Sequence, residues 1–314
     1  MKIRIATRAS PLALWQANHV AGLLRAAHEG AAVELVEVST VGDRDRANTL
    51  ASFGGTGVFT REVQRAVLDG RADVAVHSLK DLPTAATEGL VLAAVPARED
   101  RRDALVLPAD GHPVDGDDPL AVLPSGARVA TGSPRRQAQL LHRRPDLEVA
   151  GVRGNVGTRL EKLDVGEFDA MVLAVAGLKR LGFASRVSAV LEPPVMYPAV
   201  GQGALGLECR ADDGEVTAAV GTLADVSATL EVTAERSMMA RLGAGCHAPV
   251  GAFATSGRGE SEGFALTGVV LSPDGSRRIE SVADRVPWPD RSTAAGSGVD
   301  VAERLLADGA SEFV

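Results

Sequence analysis

Strand-like and helix-like runs alternate along the first two thirds of this 314-residue chain, and that alternation limits its fold more than any other feature. Residues 2–7 alternate in polarity like a strand. Ser10 then stands as an N-cap with Pro11 at the first helical position, ahead of an apolar face of Leu14, Val20, Leu23 and Leu24. Residues 33–38 read as a strand, 60–68 as a helix closed by Gly70, and 73–77 as a strand. A parallel or mixed sheet covered by helices buries such a pattern. The Pro/Gly/Asp-rich stretch 108–124 reads as an exposed loop near a domain boundary. Beyond it the alternation restarts, with strands at 127–131, 147–152 and 168–175 and helices from Pro134 and over 156–163, which implies a second α/β domain.

The last third changes character. A helix over 228–242 leads into the turn Arg-Leu-Gly-Ala-Gly-Cys-His-Ala-Pro, followed by strands at 250–255 and 264–271, a hairpin turn at Pro273-Asp274-Gly275 and a closing helix over 299–306. A small α+β domain presenting Cys246 from a loop is the implied arrangement. Thiols are the strongest ordinary side-chain nucleophiles, and a cysteine between Gly245 and His247-Ala248-Pro249 is accessible to covalent chemistry. The alternative, a buried and inert small hydrophobe, better fits Cys209 in the apolar run Ala-Leu-Gly-Leu-Glu-Cys. A cysteine-dependent acyl enzyme built on Cys246 and His247 ranks low, because adjacent residues seldom direct their side chains at each other.

Two cysteines make no disulfide framework, and no Cys/His spacing matches a zinc site, so no metal is expected. The amino terminus enters a strand pattern at once, without the start of a secretory signal, and no apolar stretch is long enough to span a bilayer. The expectation is a cytoplasmic protein without a membrane partner. A net charge of −8 argues against nucleic acid, whose phosphates call for a basic face.

Polar clusters recur just after the strands: Thr7-Arg8-Ala9-Ser10, His77-Ser78-Leu79-Lys80-Asp81, Thr131-Gly132-Ser133-Pro134-Arg135-Arg136 and Arg153-Gly154-Asn155. In open α/β sheets ligands bind outside the carboxyl ends of strands, so the clusters are expected to converge on one cleft. With Ser133 as cap, Arg135 and Arg136 fall in a first helical turn, where the dipole disfavours cations; an anionic ligand would resolve that conflict. Arg153 and Arg159 repeat the arrangement around Asn155. Any one of these arginines reads equally well as a surface or ion-paired residue. Four at two helix starts, with Arg8 and Lys80 placed comparably in the other domain, imply a ligand with several carboxylates. Asp81, an acid among these cations, suits stabilisation of a cation that forms during reaction, or else a salt bridge or helix cap. Gly54-Gly55-Thr56-Gly57 reads as a lid or a loop, since no Gly-Lys-Ser/Thr follows it.

The stretches IATRASPLALWQA, VHSLKDLPT, REDRRDAL, TGSPRRQAQL, VRGNVGTRLEKL, DAMVLAVAGLKRLG, PAVGQGALGLECR and VTAERSMMARLGAGCHAPVGA, in order over nearly the whole chain, closely resemble the porphobilinogen deaminase family. The resemblance implies an enzyme that joins four porphobilinogen molecules head to tail with loss of ammonia, then frees linear hydroxymethylbilane with water. It implies a dipyrromethane cofactor thioether-linked to Cys246, and Asp81 as the catalytic aspartate that stabilises the azafulvenium cation. Lys80, Asp81, Ser133, Arg135, Arg136, Arg153 and Gly154 fall at cofactor-binding positions. Arg8, Ser10, Arg153, Arg159 and Gln202 fall at substrate-binding ones, and Asp43 lines the cleft. A monomer without a metal is implied.

The fold so implied is two doubly wound mixed-sheet α/β domains resembling type II periplasmic binding proteins, 1–98 with 203–221 and 103–198, plus a small α+β domain over 226–314. Thr56 departs from the lysine that many members carry, which leaves the lid without that cation. A non-catalytic solute-binding protein would share the two-lobed design, but such proteins are usually exported and that class does not account for Cys246.

Overall fold

The computed structural model describes residues 1–39, 60–109, 111, 114, 116, 118–245, 247–257, 263–283, 286–287 and 289–314. The chain divides into two compact units, Met1–Glu99 with Ala204–Thr229, and Asp100–Gly203 with Leu230–Val314.

In the first unit, β1 (Lys2–Arg8) lies between β2 (Ala32–Val38) and β3 (Val74–Ser78), parallel to both. The returning strand β10 (Leu205–Arg210) inserts antiparallel between β3 and β4 (Leu90–Ala94), giving the order β2-β1-β3-β10-β4. Helix α1 (Pro11–Ala27) starts where the sequence places it: Ser10 Oγ accepts the Ala13 N–H at 3.4 Å. Its Val20 and Leu24 pack with Val216 and Val220 of α6 (Gly214–Gly221) on Ile3, Ile5 and Leu207. Helix α2 (Arg61–Leu68) covers the other face with Val63, Ala66 and Val67 over Ala6 and Ala75. Each large aliphatic buried this way contributes about 1.5–3 kcal/mol.

In the second unit, β5 (Asp103–Val106), β6 (Arg128–Ala130), β7 (Glu148–Ala150), β8 (Ala170–Ala174) and β9 (Ala189–Leu191) take the order β7-β6-β8-β5-β9, with β5 the antiparallel insertion. Helices α3 (Pro134–Arg143), α4 (Val156–Asp164) and α5 (Val175–Arg180) connect these strands. Both sheets therefore share one doubly wound mixed plan, as expected. The unit also holds an antiparallel sheet of β11 (Val250–Gly257), β12 (Gly263–Leu271) and β13 (Arg278–Val282).

Against that sheet pack α7 (Val226–Leu242) and α8 (Arg291–Ala307). The sequence places a helix only over 299–306, because Gly296, Ser297 and Gly298 weaken the pattern. The helix instead begins at Asp290, whose carboxylate accepts the Thr293 N–H at 2.7 Å. Gly298 is tolerated for a packing reason: a Cβ there would lie 2.2 Å from the Ala234 carbonyl oxygen of α7. β4, β5, β9, β13 and α5 are short or lack period, and the sequence pattern does not reveal them. Among the described residues no helix is long and apolar enough to cross a membrane.

Candidate active site

In the first unit the polar residues follow the carboxyl ends of β1 and β3. Thr7 Oγ1 donates to the Ala13 carbonyl at 3.1 Å, and buried Gln16 of α1 places its Nε2 2.8 Å from Ser78 Oγ, which ties the helix to the segment after β3. That segment turns at Leu79–Asp81, pinned by buried Leu79, whose N–H donates to the Ala204 carbonyl at 3.0 Å. The turn leaves Lys80 half-buried and Asp81 exposed. The Asp81 carboxylate makes no hydrogen bond or ion pair among the described residues, so it neither caps a helix nor serves as a salt-bridge partner there. Arg8 and Ser10 are half-buried at the neighbouring strand end.

The second unit departs from the expected arrangement. Ser133 stands at the N-cap of α3, but its hydroxyl does not cap; Thr131 Oγ1 accepts the Ser133 N–H at 3.2 Å, and Ser133 Oγ has no hydrogen bond among the described residues. Arg135 and Arg136 turn inward and are only 4% and 6% exposed. Their charge meets an internal acid, Asp103 at the start of β5, which is fully buried. Arg136 Nε and Nη2 donate to Asp103 Oδ1 at 3.0 and 2.7 Å, and its Nη1 donates to the Val172 carbonyl at 3.0 Å. Arg135 Nη1 lies 2.7 Å from Asp103 Oδ2 and donates to the Tyr197 carbonyl. Gln202, expected to face substrate, is buried, and its Nε2 donates to Asp103 Oδ1 and to the Arg101 carbonyl, both at 2.8 Å.

Burial alone would raise the Asp103 carboxyl, but the two guanidiniums outweigh it and hold it well below the usual carboxylate range. Burial also pushes Arg135 down, an effect that Asp103 opposes. Arg159, on α4, is lowered by burial and then by repulsion from Arg136. Its Nε donates to the Gly154 carbonyl at 2.8 Å, and no carboxylate pairs with it among the described residues. Two guanidiniums thus share one acid, and a third, Arg159, stands near enough to Arg136 to be repelled by it. Gly154 turns with φ +112°, where a Cβ would also meet Thr158 at 3.0 Å, and this turn leaves Arg153 exposed.

Cys246, Asp43, Thr56 and the glycines beside it lie outside the described residues, as does part of the 108–124 loop. Cys209 is buried in β10, and burial pushes its thiol up to about 12, in keeping with an inert core residue.

Two family descriptions match this chain: "Porphobilinogen deaminase, dipyromethane cofactor binding domain" over residues 3–218 and "Porphobilinogen deaminase, C-terminal domain" over 229–307. The chain belongs to the porphobilinogen deaminase family. As a porphobilinogen deaminase it is a transferase of tetrapyrrole biosynthesis, forming hydroxymethylbilane from four porphobilinogen molecules, and its cofactor is dipyrromethane. The chain is also similar to the VFT2 domain of BvgS from Bordetella pertussis, at 18% identity over 75% of this chain and 92% of that one, with a TM-score of 0.43. It is similar as well to the methionine binding protein MetQ, at 13% identity over 71% and 89%, with a TM-score of 0.45.

The second unit of this deaminase fits a cofactor that carries carboxylates. Arg135 Nε is buried without a hydrogen-bond partner among the described residues, Ser133 Oγ is unused, and Arg159 lacks an acid. Asp103 is the residue that reading the sequence missed. Its one signal was an acid opening the apolar run Asp-Ala-Leu-Val.

Proposed function

We propose that hydroxymethylbilane synthesis in this chain rests on Asp81 as the catalytic residue and on Cys246 as the anchor of dipyrromethane. When bound, dipyrromethane supplies a nucleophilic pyrrole carbon for chain growth. Asp81, carried on a short turn pinned by Leu79, offsets the positive charge that develops on substrate as ammonia leaves; such placed electrostatic groups are worth about 3–4 kcal/mol. Ser133, Arg135, Arg136, Arg153 and the Gly154 turn, with Lys80, bind cofactor carboxylates. Arg8, Ser10, Arg153 and Arg159 bind those of substrate. Each charge-assisted hydrogen bond contributes about 1.5–3 kcal/mol. Gln202, placed in the substrate-binding set by the family resemblance, also donates to Asp103 and so steadies the arginine pair.

The observation that carries this reading is the surplus of cation in the second unit, three guanidiniums to one carboxylate, at the carboxyl ends of β6 and β7. Three separate sheets support domains near 1–98 with 203–221, 103–198 and 226–314; by family resemblance the enzyme is taken to act as a cytoplasmic monomer. Intact mass tests the reading. The purified protein is expected to exceed its sequence mass by one dipyrromethane on Cys246, to gain single pyrrole units on brief exposure to porphobilinogen, and to lose both features in Cys246→Ser. An unmodified, fully active protein would overturn it.

A further inference from the structure

We infer that Asp103 is a positioning residue for carboxylate recognition, holding Arg135 and Arg136 in one arrangement through direct pairing. The inference rests on the reading that these arginines bind ligand carboxylates.

Arginine side chains are long, and two of them in adjacent positions repel. Left to themselves, Arg135 and Arg136 would turn toward water along different paths. Asp103 prevents this from a site that cannot itself move: the residue opens β5, in register with Ala174 of β8 and Leu191 of β9, and is fully buried. Its two oxygens divide the task, Oδ1 taking Nε and Nη2 of Arg136 and Oδ2 facing Nη1 of Arg135. Gln202 Nε2 adds a third donor on Oδ1. The Val172 carbonyl fixes the remaining Nη1 of Arg136, and the Tyr197 carbonyl takes the same Nη1 of Arg135 that faces Asp103.

Two functions follow from one carboxylate. Orientation is set before a ligand arrives, so binding does not have to order the arginines. One of the two charges is also balanced, which lets the pair be buried while a net positive charge remains for an incoming carboxylate. An asparagine at 103 would keep the shape, but its amide N–H groups would face guanidinium N–H groups, donor against donor, and at least one arginine would turn away.

The test uses the purified holoenzyme in three forms, wild type, Asp103→Asn and Asp103→Glu, compared by intact mass, thermal midpoint, and kcat and KM for porphobilinogen. Because Arg135 and Arg136 hold cofactor carboxylates, Asp103→Asn is expected to carry the covalent mass on at least tenfold fewer molecules and to lose kcat in proportion, with KM of the loaded molecules within about twofold. Asp103→Glu keeps the charge but displaces the carboxylate by one methylene, and it decides between positioning and neutralisation. Positioning predicts a reduced fraction carrying the covalent mass with a wild-type thermal midpoint, whereas neutralisation alone predicts the wild-type fraction. A folded Asp103→Asn with full covalent mass would overturn the inference, as would full covalent mass in Asp103→Glu, or failure of both variants to fold. Wild type without covalent mass or turnover would instead defeat the reading of the site, independently of Asp103.

Discussion

The two five-stranded sheets are built on one plan yet handle their buried acid in opposite ways. Each inserts a single antiparallel strand beside its third parallel-plan strand, and each inserted strand carries a buried carboxylate, Glu208 on β10 and Asp103 on β5. Asp103 is in register with Ala174, the last residue of β8, and so sits at the edge where ligands meet such sheets. Glu208 is in register with Ala75, near the amino end of β3 and so away from the ligand edge, beside a register shift against β4. Its partners are internal as well: Gln64 Nε2 donates to Oε2 at 2.9 Å, and His77 Nε2 lies 3.0 Å from the same oxygen. The first unit therefore hides its inserted acid and exposes Asp81, while the second hides its acid under two cations. A shared fold fixes where a group stands, and depth along the strand decides whether it touches chemistry.

The change that breaks this comparison most severely is Asp81→Asn. Asp81 is exposed on its turn, so the variant is expected to fold as wild type while porphobilinogen consumption falls by about 100- to 1000-fold, the effect of losing a placed charge worth about 3–4 kcal/mol. Circular dichroism checks the fold, and near-normal turnover would remove Asp81 from the mechanism.

Next in size is Arg159→Ala. The side chain is lowered by burial and by Arg136 and holds no acid among the described residues, so its removal relieves repulsion in the protein while leaving a ligand carboxylate unpaired. A rise in KM of about 10- to 100-fold is expected, in line with about 1.5–3 kcal/mol for a charged hydrogen bond, together with an unchanged or higher thermal midpoint. An unchanged KM would place Arg159 outside the binding set.

How much of this was legible in the sequence follows from the range of the interactions involved. Ser10 with Pro11, and Asn155 with Thr158, are local signals, and both helices start where the residues say they should. Ser133 carries the same local signal, yet its hydroxyl accepts no first-turn N–H, while Thr131 Oγ1 accepts the N–H of Ser133 itself. The inward path of Arg135 and Arg136 depends on Asp103, more than thirty residues away in sequence, and on a strand too short to show a period. Gln202 reads as a cleft residue in one dimension and is an interior donor in three. Long-range pairing of charges leaves no periodic trace.

Glu208→Gln sharpens the same contrast by a smaller effect. Gln64 Nε2 can still donate to the new amide oxygen, but the carboxylate oxygen that His77 Nε2 faces at 3.0 Å is lost from a site where both side chains are buried. Stability is expected to fall by about 1–2 kcal/mol, read as a drop of a few degrees in the thermal midpoint. Because the site lies away from the ligand edge, kcat and KM for porphobilinogen are expected to stay at wild-type values. A raised KM at unchanged stability would show that depth in the strand does not separate structural acids from functional ones.

The smallest effect concerns the two thiols. Cys209 lies in β10 with its side chain fully buried, one residue from Glu208, and burial raises its thiol to about 12, so almost none of it is thiolate near neutral pH. The sign of the pH dependence follows: with an unfolded thiol near 8.5, the burial of Cys209 favours the folded state fully below that pH and loses this contribution as pH rises toward 12. Iodoacetamide at pH 8 is therefore expected to leave Cys209 unlabelled in the native protein and to label it after denaturation, while Cys209→Ala retains the covalent mass, kcat and KM of wild type. Rapid native labelling of Cys209, or loss of the covalent mass in Cys209→Ala, would move the proposed anchor from Cys246 to Cys209 and overturn the division of roles between the two.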